Sequence, residues 1–313
     1  MIEIPTKGKV DAIKKAILAG NPHIDFFIAD YFDSFFEGFL SYKIDYMTLP
    51  QNESFADVVV QGIDDISLLK KDFISFLKVI IKSKEFCKPD LFIDFFERLL
   101  QFYSDNGINL YTGDSINSYA VDNYRFFNQD LFLNFVSTLV EYKRFDVLSG
   151  VISARLIVAS SGYYREAESV NYIRFREYNY TLNEFVNKTY PNKRISVTAD
   201  YINKYASDNS FENLIKADIL LYYLSIIYPG DNFLDRIWYP ELSFFNHQTQ
   251  ILPKLISKRY FDSCKCLFGV NTVEEYKKLL LKLTDSIQQM NNGVHGVPAI
   301  KIGLMYDSVA SVD

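Results

Sequence analysis

Cysteine, histidine, glycine, proline and excess positive charge are all in short supply in this chain of 313 residues, and each shortage closes a class of function. The three cysteines, Cys87, Cys264 and Cys266, are too few for a disulfide framework. The pair Cys264-x-Cys266 has neither zinc spacing nor the C-x-x-C of a redox site, so a reducing, cytoplasmic setting is expected. His23, His247 and His295 are far apart, each without an Asp, Glu or Cys at ligand spacing on the same helix face, and no metal or cofactor is expected. With 39 acidic against 33 basic residues the formal charge is −6, which denies the chain the broad basic field of non-specific nucleic-acid binding.

Motifs are missing too. No apolar run approaches the roughly 20 residues that span a bilayer, and the polar start Met1-Ile-Glu-Ile-Pro-Thr-Lys7 lacks the apolar core of a signal peptide, so neither membrane insertion nor secretion is expected. The chain has no G-x-x-x-x-G-K-[ST], no G-x-G-x-x-G and no G-x-S-x-G. Arg236 and His247 are too far apart for the R-x4-6-H pairing of certain helical ribonucleases. No residue is assigned a catalytic role.

What the chain has is rings. Its 27 Phe and 23 Tyr stand against only 13 Gly and 9 Pro, a balance that favours helices packed through large side chains. Apolar positions recur at helical spacing over Val10–Leu18, Ile24–Leu40, Ile66–Lys84, Leu91–Tyr103 behind Pro89, Val121–Tyr142, Phe145–Ala159 and from Phe211 onward. Over Ile24–Leu40 the aromatic face is set against Asp25, Asp30, Asp33 and Glu37, the signature of an amphipathic helix with an acidic exterior. Only Lys143-Arg144 separates the fifth and sixth segments, so these read as an antiparallel pair. The interval from Thr48 to Gln61 reads as loop or as a short extended piece around Val58-Val59-Val60. Thr181-x-x-Glu184 and Thr272-x-x-Glu275 read as capping boxes, and the pairs Asp64-Asp65 and Glu274-Glu275 as carboxylates at helix starts.

The expected fold is all-α: an irregular helical array or helical-repeat-like bundle with a short extended C-terminal tail. Asp105–Asp114, rich in turn formers, divides an N-terminal helical subdomain (1–110) from a C-terminal one (111–290), with the tail over 291–313, unless the whole is one continuous domain.

Two regions carry candidate binding chemistry. Arg165, Arg174, Arg176 and Arg194 are interleaved with Tyr163, Tyr164, Tyr172, Phe175, Tyr178 and Tyr180; Arg and aromatic side chains are enriched at binding surfaces and stack on bases. The same rings could instead anchor a loop onto the helices. Lys254, Lys258 and Lys265 fall at spacings that place them near one helical face, which is either a solvated face or an anion-binding one. Arg236, Trp238 and His247 lie close together in sequence and are kept as residues to locate.

Several segments, in order, resemble the long helical region that follows the signalling domain in bacterial proteins of the TIR and SEFIR type. They are Asp130-Leu-Phe-Leu-Asn-Phe-Val136, Tyr142-Lys-Arg-Phe-Asp-Val-Leu148, Arg194-Ile-Ser-Val-Thr-Ala-Asp200, Phe211-Glu-Asn-Leu-Ile-Lys-Ala-Asp-Ile-Leu-Leu-Tyr222, Trp238-Tyr-Pro240, and Ser257-Lys-Arg-Tyr-Phe261 followed by Leu267-Phe-Gly-Val270. The resemblance implies bacterial antiviral defence, in which such a region senses an invader or assembles the protein. TIR enzymes carry their NAD-cleaving glutamate in an α/β domain, and no alternating strand–helix series precedes residue 120, so no catalytic residue carries over. The expected role is a non-catalytic sensor, adaptor or scaffold whose partner is an effector protein or a second copy of the chain. The alternative is a nucleic-acid- or nucleotide-binding protein, or a nuclease-like toxin, using segment 163–194.

Overall fold

The computed structural model describes residues 6–44, 54–104, 121–159, 167–206, 209–229, 237–246, 250–290 and 300–313. It is an all-α array with one small hairpin-like sheet among the described residues. Helices α1 (Lys9–Leu18), α2 (Ile24–Leu40), α3 (Phe55–Ser83) and α4 (Pro89–Ser104) precede α5 (Asp122–Glu141) and α6 (Phe145–Ser153). Strands β1 (Leu156–Ala159) and β2 (Ala167–Val170) then pair antiparallel, with Leu156 opposite Val170. After them come α7 (Val197–Lys204), α8 (Phe211–Ile227), α9 (Lys258–Cys264), α10 (Val273–Met290) and the single turn α11 (Ile300–Gly303).

The aromatic content builds the first half as its spacing implies. Tyr31, Phe32, Phe35, Phe36 and Phe39 form the buried face of α2, while Asp25, Asp30, Asp33 and Glu37 are exposed. Tyr31 stacks on Phe76 of α3 at 4.4 Å between ring centroids, and Phe73 stacks on Phe95 of α4 at 4.6 Å. Each such ring pair adds about 0.5–1.5 kcal/mol beyond its burial.

Two helices are buried on every side and form the centre. Nearly all of α5 from Asp122 to Leu139 is enclosed, and α8 is enclosed from Leu214 to Ser225 apart from Lys216. Helix α8, apolar almost all round, can only be a core helix; α3 and α8 both pack against α5. Some of the polar side chains of α5 are consequently paired from inside, although the Ser137 hydroxyl and the Gln129 amide nitrogen have no partner among the described residues. Lys70 of α3 donates to Asp130 Oδ2 at 2.5 Å and to the Tyr205 carbonyl at 2.9 Å, and Asn134 donates to Asp130 Oδ1 at 2.9 Å. One hydrophobic core runs through both halves, from Ile13 to Val309. The interval 105–114 lies outside the described residues.

Local patterns and packing disagree in several places. Val58-Val59-Val60 is helical, not loop or strand: Val59, Ile63 and Ile66 form one buried face of α3, and that burial overrides the β preference of a valine run. Asp64-Asp65 is accordingly inside a helix, where Asp64 meets Lys204 at 2.9 Å and Asp65 accepts from Gln61; Glu274-Glu275 does lie in the first turn of α10. Helix α6 stops at Ser153 because residues 156–159 are drawn into β1. There the Ile157 amide donates to Glu97 Oε1 at 2.8 Å and Gln101 donates to the Ile157 carbonyl, so α4 side chains satisfy that backbone. Thr181-x-x-Glu184 is not a capping box. The Thr181 amide is bound by Asp122 Oδ2 at 2.7 Å, Glu184 accepts from the Tyr178 hydroxyl, and the segment forms a wide π-type turn. At Thr272 the hydroxyl does accept from the Glu275 amide at 3.1 Å, and the Glu275 carboxylate returns to the amide of Asn271. The tail departs from the extended form over α11, then folds back so that Val312 bridges Ser257 and the Ala310 amide donates to the Leu255 carbonyl.

Candidate interaction site

The Arg/Tyr segment is anchored before it is displayed. Asn171 accepts from the Ile173 amide at 3.0 Å and starts a 3-10 turn over Tyr172–Phe175. Tyr172 is fully buried, its hydroxyl donating to the Leu221 carbonyl at 3.1 Å, and Phe175 stacks on Phe132 of α5 at 4.6 Å. Tyr172 is therefore an anchor and not part of an exposed surface. Trp238 is likewise fully buried, because its indole Nε1 finds a carboxylate inside: it donates to Asp218 Oδ1 of α8 at 2.7 Å. Arg165, Arg236 and His247 lie outside the described residues, as do Tyr163 and Tyr164.

The arginines of the segment are brought to the surface and neutralised there. Arg174 meets Glu177 at 2.9 Å, and Glu177 also holds Arg125 at 2.7 Å. Arg176 donates to Glu241 Oε1 at 2.7 Å with its guanidinium 4.9 Å from the Tyr239 ring centre, a cation–π contact. Arg194 makes a two-pronged pair with Asp200 at 2.7 and 2.8 Å. Asn187 clamps the backbone of Arg194 by accepting from its amide at 2.8 Å and donating to its carbonyl at 2.9 Å. That clamp closes the loop between Asn187 and Arg194 and fixes where its lysines emerge.

Between these elements lies a half-open cavity of about 470 Å³. Arg176, Glu241, Tyr239 and Phe244 form one wall, Tyr178 and Glu184 another, and Lys188, Lys193 and Ile195 the rim. A second cavity of about 230 Å³ adjoins it, sharing Lys193, Ile195, Ser196 and Phe244 and adding Phe245. The carboxylates of the larger cavity already have partners: Glu241 holds Arg176 and accepts from Ser196, and Glu184 accepts from Tyr178. Lys188 and Lys193 are exposed and pair with no carboxylate among the described residues. Of the residues lining the two cavities, Tyr178 and Phe245 are partly exposed and Ile195 is 76% exposed; Tyr180, Phe185 and Tyr190, elsewhere in the segment, are also partly exposed.

Behind the wall sits Asp218, enclosed completely. Its carboxylate accepts from Trp238 Nε1 and, at 2.7 Å, from the Leu242 amide. Burial outweighs those two donors and pushes its pKa up to about 7. Asp218 thereby ties α8 to the turn Glu241–Phe244 that carries the cavity wall. Sequence reasoning placed Asp218 in a helix pattern without assigning it a role, although a carboxylate amid Leu, Ile and Tyr was a legible signal. Glu241, Asn187, Lys188, Lys193 and Ile195 gave no signal, because their grouping depends on tertiary contacts.

The second candidate, the basic face, does not hold together. Lys254 is in a 3-10 turn (Pro253–Ile256), Lys258 opens α9, and Lys265 lies past its end, paired with Asp262 at 3.2 Å. Ser257 is extended between the turn and α9, so the three lysines do not lie on one continuous helix. Among the described residues no three His, Cys, Asp or Glu converge as metal ligands, and no helix is long and apolar enough to cross a membrane. The chain matches no protein-family model, no curated protein and no solved structure.

Proposed function

We propose that the protein is a non-catalytic adaptor or sensor that captures an acidic, apolar-anchored segment of a partner protein in the cavity between Arg176 and Lys193. The carrying observation is that Arg174, Arg176 and Arg194 are neutralised by Glu177, Glu241 and Asp200, while Lys188 and Lys193 meet no carboxylate among the described residues and Ile195 stands exposed beside them. Rings and aliphatics around a polar pocket are the composition of a protein interface core. Phosphate tracking needs several free cations along a groove, and internal pairing of the three arginines supports the protein-binding reading over the nucleic-acid one.

The resemblance of residues 120–280 to the helical regions of bacterial TIR and SEFIR proteins supports a setting in cytoplasmic antiviral defence. The partner in that reading is an effector protein. A photo-crosslinking amino acid at Tyr190, introduced in the native host, tests it. The expected result is one recurrent protein adduct, through an acidic peptide, that disappears in the Lys188→Glu, Lys193→Glu double variant. Adducts to a second copy of the chain would assign the surface to self-assembly. Nucleic acid recovered in place of protein, and released by salt, would overturn the reading.

A further inference from the structure

A separate cavity, of about 240 Å³, opens on another part of the molecule and shares no lining residue with the two described above. Four parts of the chain converge on it. Helix α5 supplies Ser137, Val140 and Glu141, and α8 supplies Asn213, Lys216, Ala217 and Leu220. The segment before α9 adds Ile251–Lys254, and α9 itself adds Tyr260. Its lining combines apolar side chains with three lysines, Lys143, Lys216 and Lys254. Lys143, in the turn between α5 and α6, has a backbone φ of 56°, a left-handed conformation that favours glycine, and the turn is closed by the Arg144 amide on the Leu139 carbonyl at 2.8 Å. This places the Lys143 ammonium 5.8 Å from the centre of the Tyr260 ring.

Charge at the rim is unbalanced. Lys216 is held by Glu212 at 2.7 Å, but Lys143 and Lys254 form no ion pair among the described residues, and Glu141 is the one carboxylate in the lining. Ser137, only 4% exposed, contributes a hydroxyl with no hydrogen-bond partner, and buried polar groups are ordinarily paired. We propose that this cavity binds a small anion with an apolar body, its carboxylate or phosphate head held by Lys143 and Lys254 and its body lying against Leu220, Leu252 and Tyr260. The volume lies just below the roughly 300–1,000 Å³ of drug-sized sites, which limits the body to about one ring or a short chain. Lys254, singled out in the sequence as part of a basic face, has its role here instead.

Calorimetric titration of the whole chain with phenyl phosphate, benzoate, inorganic phosphate and benzyl alcohol is the test. Saturable binding of phenyl phosphate or benzoate is expected, with affinity falling at least about tenfold in Lys254→Glu and for the two probes that lack either the ring or the charge. The first two probes also distinguish a phosphate from a carboxylate head. Lys254 is exposed, so an unchanged thermal melt of Lys254→Glu will separate lost binding from lost folding. Absence of binding by both ring-bearing anions overturns the proposal. So does equal binding of inorganic phosphate or of benzyl alcohol, because the walls or the lysines would then contribute nothing. These outcomes leave the partner-binding cavity untouched, since the two sites have no residue in common.

Discussion

Two polar clusters, each a cation and a carboxylate with a neutral polar neighbour, differ in that only one of them meets water. At Lys70, Asp130 and Asn134 an ion pair joins α3 to α5, with both side chains almost fully enclosed. At Arg176, Glu241 and Ser196 a similar pair joins the Arg/Tyr segment to the turn after Trp238, but its guanidinium lines an open cavity. The first pair holds two helices in register. The second shapes a surface, and its neighbours Lys188, Lys193 and Ile195 are exposed. An ion pair by itself is thus weak evidence of function; what surrounds it decides.

Breaking the closed cluster should give the largest effect. Lys70→Ala leaves the Asp130 carboxylate buried without its cation and is expected to cost about 3–5 kcal/mol, read by urea unfolding. Lys70→Met with Asp130→Leu removes both charges and should cost less than Lys70→Ala alone. Were the single substitution harmless, the pair would be solvated and the contrast between the two clusters would vanish.

Asp218 sharpens the comparison through pH. Its folded pKa is raised from 3.8 to about 7, so the folded protein binds a proton that the unfolded chain gives up first. Stability from this group is fully present below pH 4 and is lost as pH rises through 7, a change on the order of 4 kcal/mol. Asp218→Asn abolishes that titration, so wild-type and variant melting temperatures plotted against pH should diverge in slope between pH 4 and 7. Parallel curves would mean that the carboxylate is not buried as described.

At the open cluster the expected costs are smaller. Arg176→Ala unpairs Glu241, which is only 6% exposed at its side chain, and should destabilise the fold by about 1–3 kcal/mol while abolishing partner crosslinking. Ile195→Ser lies at the other extreme. At 76% exposure its effect on unfolding should stay within about 0.5 kcal/mol, yet partner crosslinking should fall. If Ile195→Ser leaves crosslinking intact, the exposed rim is not the contact surface.

Legibility in the sequence followed the range of the interactions. Helix α2 coincides with its apolar pattern over Ile24–Leu40, because a 3.6-residue period is a local property and five buried rings repeat it. Residues 156–159 continue a helical pattern yet form a strand, since nothing local announces that Glu97 and Gln101 wait to bind that backbone. Tyr172 and Tyr178 look alike in sequence. One is sealed under α8 and the other lines the cavity, a difference set by Leu221 and Glu184 and not by the tyrosines.

Composition and periodicity therefore determined by themselves that this chain is an aromatic-packed helical array without a local metal or nucleotide motif. Tertiary structure alone decided which charges are spare. Arg176 finds Glu241 across 65 residues, and Thr181 finds Asp122 across 59, so whether a side chain is neutralised inside the fold or left for a partner is set by which distant helices meet. Periodicity specifies the face a helix buries; it carries no information about what that face, once buried, lies against.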